Sequence, residues 1–137
     1  MVVVALTAAA VMVGGVAAAP PGPPQIRESL APLPCPAKPK TTLQLEACAG
    51  QRILRTDAEI NHRVRTIWGL LKTHPARTRF AAAERAWLAY RRASCSSLGD
   101  AFKDGTLAKI KYAECVGDVN RQHIRQLIQF ETALRGH

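Results

Sequence analysis

The chain has 137 residues, and its 19 Lys or Arg outnumber its 10 Asp or Glu, so the formal charge is +9 with neutral His. This length is typical of one domain, and a single long apolar stretch at the N-terminus excludes a transmembrane bundle. A composition with 47% hydrophobic and 21% charged residues disfavours collagen-like or low-complexity disordered chains and predicts a small basic globular domain.

Residues 1–19 have the composition of a signal peptide. An apolar core ends in small residues at positions 16–18, which predicts cleavage after Ala18 or Ala19. A basic n-region is missing and a proline follows the cleavage point, so the alternative is an uncleaved N-terminal anchor. No cysteine lies near the cleavage point, so the sequence does not predict a lipid-anchored N-terminus. We therefore expect a secreted protein, or one located in the cell envelope or periplasm.

Proline is concentrated directly after this segment. Eight of the nine prolines lie between Pro20 and Pro39. Because each proline fixes φ and removes a backbone donor, residues 20–39 are predicted to be a linker. The helical domain is predicted to occupy residues 40–137.

Helical signals begin at the end of the linker. Thr41 and Gln44 form a capping-box pattern that opens a short helix, which Gly50 is expected to loosen or end. Apolar residues at spacings of three, four and seven then predict a second helix from Gln51 to about residue 73.

Two further helices complete the predicted bundle. Pro75 marks a break or the first turn of a new helix, and helical periodicity from Phe80 predicts an end near residues 95–98. Residues 104–106 predict a turn whose threonine caps the last helix. Because no stretch alternates with period two, the predicted fold is all-α, a small disulfide-stapled helical hairpin bundle of three to four helices.

The four cysteines are Cys35, Cys48, Cys95 and Cys115. An even number in an exported chain favours two disulfides, and the absence of a C-x-x-C pair disfavours thioredoxin chemistry and a zinc ribbon. Each neighbouring pair flanks a helix junction, so we predict the bridges Cys35–Cys48 and Cys95–Cys115.

The sequence contains no motif that predicts chemistry. A nucleophile elbow, a zinc-ligand spacing and a phosphate-binding glycine loop are all missing. No catalytic residue, metal or cofactor is therefore predicted. His123 falls on the apolar stripe of the last helix, and we expect it to be a hydrogen-bonded core or interface residue rather than a base or a ligand.

Charge is distributed unevenly along the chain. Residues 52–92 contain ten Lys or Arg and three Asp or Glu, whereas residues 100–118 contain four acidic and three basic residues. The basic stretch is interpreted as a solvated helix face, or alternatively as a surface that attracts anionic envelope polymers, lipids or nucleic acid. Any nucleic-acid binding is predicted to be non-specific in sequence.

Residues 83–95 read AERAWLAYRRASC and closely resemble the signature of the LprI-like lysozyme-inhibitor family. The resemblance extends over about residues 35–134, because the cysteines, a D-x-E-I-N element, a glycine turn and a Y-x-x-C element follow in step. Besides the four cysteines, the positions that carry it are Asp57, Asn61, Ala86, Trp87, Tyr90, Arg91, Gly105 and Tyr112.

Four positions depart from the family pattern. Glu84 replaces the usual Gln, Arg92 replaces Asp, His123 replaces Arg, and Val64 stands where an aromatic residue is common. If positions 92 and 123 pair across the helices in the family, this chain has lost that salt bridge.

The resemblance implies a secreted, disulfide-bonded helical protein without enzymatic activity. The first functional hypothesis is a binding protein that occludes the cleft of lysozyme or another peptidoglycan-cleaving enzyme. Residues 100–118 have no excess of basic residues, and they provide the candidate target-binding residues Asp100, Lys103, Asp104 and Lys109. The alternative is a basic envelope-associated module that binds anionic polymers or lipids non-specifically.

Overall fold

The computed structural model describes residues 22–27, 30, 33–103 and 105–136. The predicted signal peptide at residues 1–19 and the candidate residue Asp104 lie outside the described residues. The described chain forms three helices, α1 (Thr42–Leu70), α2 (His74–Asp100) and α3 (Thr106–Arg135), with no strand among these residues. The predicted all-α fold is therefore confirmed.

Helix α1 joins the two helices that the sequence predicts before residue 73. The capping box is present, because Thr41 Oγ1 accepts from the Gln44 backbone N–H at 3.2 Å and Gln44 Oε1 accepts from the Thr41 N–H. Gly50 lies inside the helix and does not end it. An interior glycine costs about 1 kcal/mol relative to Ala, and burial of Ala47 and Ile53 on either side offsets this cost.

Helix α2 begins with a side-chain cap, and helix α3 does not. The Thr73 side chain accepts from the Ala76 N–H at 3.3 Å, and Pro75 lies in the first turn of α2, as its fixed φ allows. The prediction that Thr106 caps α3 is wrong, because Gly105 occupies the N-cap and Thr106 is the first helical residue.

Helix α3 packs against both other helices, and most extensively against α1. The main core cluster consists of Ile60, Val64, Ile67, Leu71, Phe80, Ile124 and Leu127. A second, smaller cluster consists of Ile53, Cys95 and Val116 and lies nearer the start of α1. Together these clusters place buried apolar side chains of α3 from Val116 to Leu127.

Part of the predicted linker contacts α1. The Ile26 backbone N–H donates to Asn61 Oδ1 at 2.7 Å, and Asn61 Nδ2 donates back to the Ile26 carbonyl at 2.9 Å. Further along, Gln51 Nε2 donates to the Leu33 carbonyl at 3.0 Å. Ile26 meets a later residue of α1 than Leu33 does, so these two contacts follow the helix in the antiparallel direction.

The two disulfides have the predicted pairing. Cys35 is bonded to Cys48 with a Cα–Cα distance of 4.6 Å, and Cys95 is bonded to Cys115 with a Cα–Cα distance of 5.4 Å. The first bridge attaches the N-terminal segment to α1, and the second joins the end of α2 to α3 inside the second core cluster.

We predict that the Cys95–Cys115 bridge contributes more to stability than the Cys35–Cys48 bridge. Loop entropy gives about 3 kcal/mol for each, since the bridges close separations of 20 and 13 residues. Cys95 is fully buried and Cys115 half-buried, whereas Cys48 is buried but Cys35 is exposed, so replacing the second pair by Ala removes more buried sulfur. Urea unfolding of the two double variants measures the difference, and equal losses would contradict the prediction.

Candidate functional site

A buried ion pair and an amide connect one residue from each helix. Arg91 Nη1 of α2 donates to Asp57 Oδ1 of α1 at 3.0 Å, and Arg91 Nη2 lies 3.4 Å from Asp57 Oδ2. Asn120 Nδ2 of α3 donates to the same Asp57 Oδ1 and to Thr56 Oγ1, both at 2.7 Å. At most 5% of the surface of Asp57, Arg91 and Asn120 is exposed. We call Asp57, Arg91 and Asn120 the polar triad.

A second buried polar contact lies beside the polar triad. Glu84 Oε2 and His123 Nε2 are 2.9 Å apart, and 7% of each side chain is exposed. The Trp87 ring stacks on the His123 ring with centroids 3.8 Å apart and an interplanar angle of 11°. The Arg91 guanidinium carbon lies 5.9 Å from the centroid of the Trp87 ring, so the two buried contacts adjoin.

These contacts explain two of the departures from the family pattern. Glu84 and His123 both differ from the usual residues, and they contact each other. Arg92 is exposed on α2, so position 123 pairs with position 84 rather than with position 92. The expectation that His123 is a hydrogen-bonded core residue is confirmed, because it is buried and bonded to Glu84.

The remaining signature positions do not gather into one surface. Asn61 binds the backbone of Ile26, Gly105 occupies the N-cap position of α3, and Tyr112 packs against the second core cluster. Ala86 and Tyr90 are exposed on α2. Among the signature residues, Asp57 and Arg91 therefore hold helices together, and Asn61 holds the N-terminal segment on α1.

Three candidate target-binding residues do lie together. Asp100, Lys103 and Lys109 are exposed and line one cleft of about 680 Å³. The cleft lies where α1 begins, α2 ends and α3 begins, and we call this part of the molecule the cleft end. Their contact with a target stays a prediction.

Exposed apolar side chains accompany these charges. The large apolar residues exposed at the cleft end include Leu30, Leu33, Leu43, Leu45, Leu98, Phe102 and Leu107. Leu43 is 65% exposed, which is high for a leucine. Several exposed large apolar side chains near charged residues favour a role of this end of the molecule in binding another molecule.

Two groups of residues at these sites are not predicted from the sequence. Asn120 could have been found, because it lies on the apolar stripe of α3 between Val116 and His123, where a polar residue needs a buried partner. Leu30 and Leu33 are apolar residues in the proline-rich segment next to Cys35, and the disulfide holds this segment near the cleft end.

The described residues hold no group of three or more His, Cys, Asp or Glu that could bind a metal ion. Among these same residues, no helix has the length and apolar content needed to cross a membrane.

Loss of the Asp57 carboxylate should be severely destabilising. Asp57→Ala removes the carboxylate from a buried guanidinium and is expected to lower the free energy of unfolding by about 3–5 kcal/mol. Asp118→Ala is the matched control, because Asp118 pairs with Arg121 at an exposed site of α3 and should cost at most about 0.5 kcal/mol. Urea unfolding followed by circular dichroism compares them, and similar losses would refute the role of the polar triad.

Glu84 and His123 should be energetically coupled. A double-mutant cycle with Glu84→Ala and His123→Ala is expected to give a coupling free energy of about 0.5–3 kcal/mol, because the two side chains are in direct contact. The control cycle pairs Arg92→Ala with His123→Ala and should give no measurable coupling. A larger coupling in the control cycle would mean that position 92 is the true partner.

Comparison with known proteins identifies the family. The family model for lysozyme inhibitor LprI matches residues 35–127, about two thirds of the chain. This range begins at Cys35 and includes both disulfides, the polar triad and the Glu84–His123 contact. No curated protein and no solved structure matches the chain significantly. On the strength of the family match, the chain belongs to the lysozyme inhibitor LprI family.

Proposed function

We propose that this protein inhibits a lysozyme-type, peptidoglycan-cleaving enzyme by covering its substrate cleft with the cleft end of the bundle. Membership of the lysozyme inhibitor LprI family supports this class of function. The observation that carries the choice of surface is the position of Asp100, Lys103 and Lys109, which are exposed around one cleft. The protein acts by binding alone, without chemistry of its own.

The charges at the cleft end suit an enzyme of this class. Glycoside hydrolysis by such enzymes uses a pair of carboxyl groups, so their substrate cleft is acidic at the reacting centre. Lys103 and Lys109 provide cations for that centre, and Asp100 provides an anion for a basic rim. Because the whole chain has a charge of +9, its attraction to a basic enzyme depends on such local complementarity.

Apolar side chains provide the other part of the interface. Phe102 and Leu107 are 37% and 48% exposed, and both lie next to the charged residues of the α2–α3 connection. Protein interfaces combine an apolar centre with a charged and polar rim. The cleft end has both components. The two disulfides of the protein are consistent with action in the periplasm, the cell envelope or the medium.

The test is an assay of bacterial cell lysis by lysozyme in the presence of the oxidised protein. We expect the protein to slow lysis, and the Lys103→Glu and Lys109→Glu double variant to inhibit about tenfold less well. The matched control is Lys72→Glu with Arg79→Glu, which changes the net charge equally at exposed sites away from the cleft end. The control should inhibit as well as the unmodified protein.

Two results would contradict the proposal. Full lysozyme activity in a large molar excess of folded protein would exclude inhibition of that enzyme. Equal loss of inhibition in both double variants would show that net charge, rather than the cleft end, determines binding. Salt-sensitive binding to heparin without inhibition would favour the alternative of an anionic-polymer module.

A further inference from the structure

The cleft itself has the properties of a small-molecule site. Its volume of about 680 Å³ lies within the range of about 300–1,000 Å³ typical of such sites. Three walls come from α1, the end of α2 and the start of α3, and apolar lining residues include Ile53, Tyr112 and Ala113. The fourth wall is formed by Leu30 and Leu33 of the N-terminal segment.

Small residues keep this cleft open. Ala47 and Gly50 face it from α1, and Gly99 and Ala108 line it from α2 and α3. A Cβ atom added at Gly50 would meet no atom within 4 Å, so the space beside this glycine is unfilled. Leu33 of the fourth wall is held beside α1 by the hydrogen bond from Gln51 to its carbonyl and by the nearby Cys35–Cys48 bridge.

Charges of both signs border the apolar walls. Lys103 and Lys109 provide two cations, and Glu46 and Asp100 provide two anions. A purely anionic head group would be attracted by the lysines but repelled by the two carboxylates. A head group with one phosphate and one ammonium complements both pairs.

We propose that the cleft binds a single-chain amphiphile with a zwitterionic head group, of the lysophosphatidylethanolamine class. The acyl chain lies against the apolar walls, where its burial removes methylene groups from water. The phosphate contacts Lys103 and Lys109, and the ammonium contacts Glu46 and Asp100. The two proposals share Lys103, Lys109 and Asp100, but this one does not rest on lysozyme inhibition and is measured without any enzyme.

The decisive variant is Gly50→Leu, because Gly50 lines the cleft and a Cβ atom at this position meets no atom within 4 Å. Isothermal titration calorimetry below the critical micelle concentration, with the oxidised full chain, measures the affinity for myristoyl-lysophosphatidylethanolamine. We expect Gly50→Leu to weaken binding by at least about tenfold. Its Tm should not fall, because leucine has the higher helix propensity.

Gly69→Leu is the matched control. Gly69 lies on the same helix, and a Cβ atom there also meets no atom within 4 Å, but it does not line the cleft. This variant should bind the probe as the unmodified chain does. Equal binding by Gly50→Leu and Gly69→Leu, or no binding by the unmodified chain, would overturn the proposal.

Two further ligands test the assignment of the chain and the head group. The lauroyl homologue, with two fewer methylenes, should bind about tenfold more weakly if the acyl chain is buried. Myristate, with the same chain length as the probe but an anionic head, should also bind more weakly. Affinity that is independent of chain length would overturn acyl burial, and equally tight binding of myristate would overturn the zwitterionic head group.

Discussion

The polar triad constrains the arrangement of all three helices. Asp57, Arg91 and Asn120 come from α1, α2 and α3, and each is buried. Separating a buried carboxylate from its guanidinium leaves charge in a medium that solvates it poorly, at a cost of several kcal/mol. Sliding or rotating one helix past the others would impose that cost, so the triad favours one register. Replacing a buried ion pair by apolar residues is often neutral or stabilising, so we assign the triad to specificity of packing rather than to net stability.

The Glu84–His123 contact extends the same principle along the bundle. It links α2 to α3 and is covered by the Trp87 ring, which also lies near the Arg91 guanidinium. Helix α3 packs against both other helices, so a contact that fixes α2 on α3 also fixes where α2 lies relative to α1. Three signature residues, Asp57, Trp87 and Arg91, thus take part in these contacts between the helices.

Assembly of the helices produces the cleft end as a consequence. With the register fixed, α1 begins beside the end of α2 and the start of α3, and the Cys35–Cys48 bridge brings Leu30 and Leu33 to the same place. The walls are apolar while the rim is charged, which is the combination that binding sites require. The buried middle of the bundle therefore holds the helices together, and the proposed binding surface lies at one exposed end.

The sequence by itself determined the features that depend on neighbouring residues. The caps at Thr41 and Thr73, the helical periodicity and the two disulfide pairings all follow from residues close in the chain.

The tertiary structure decided whether Gly50 ends a helix, because burial on both sides of it compensates a local weakness. It also decided that Asn120 joins Asp57 and that Glu84, rather than Arg92, meets His123. The cleft likewise depends on residues from α1, α2, α3 and the N-terminal segment. Such contacts join residues 39 or more positions apart, and their existence depends on helix register, which is set by the packing of the whole bundle rather than by any local pattern.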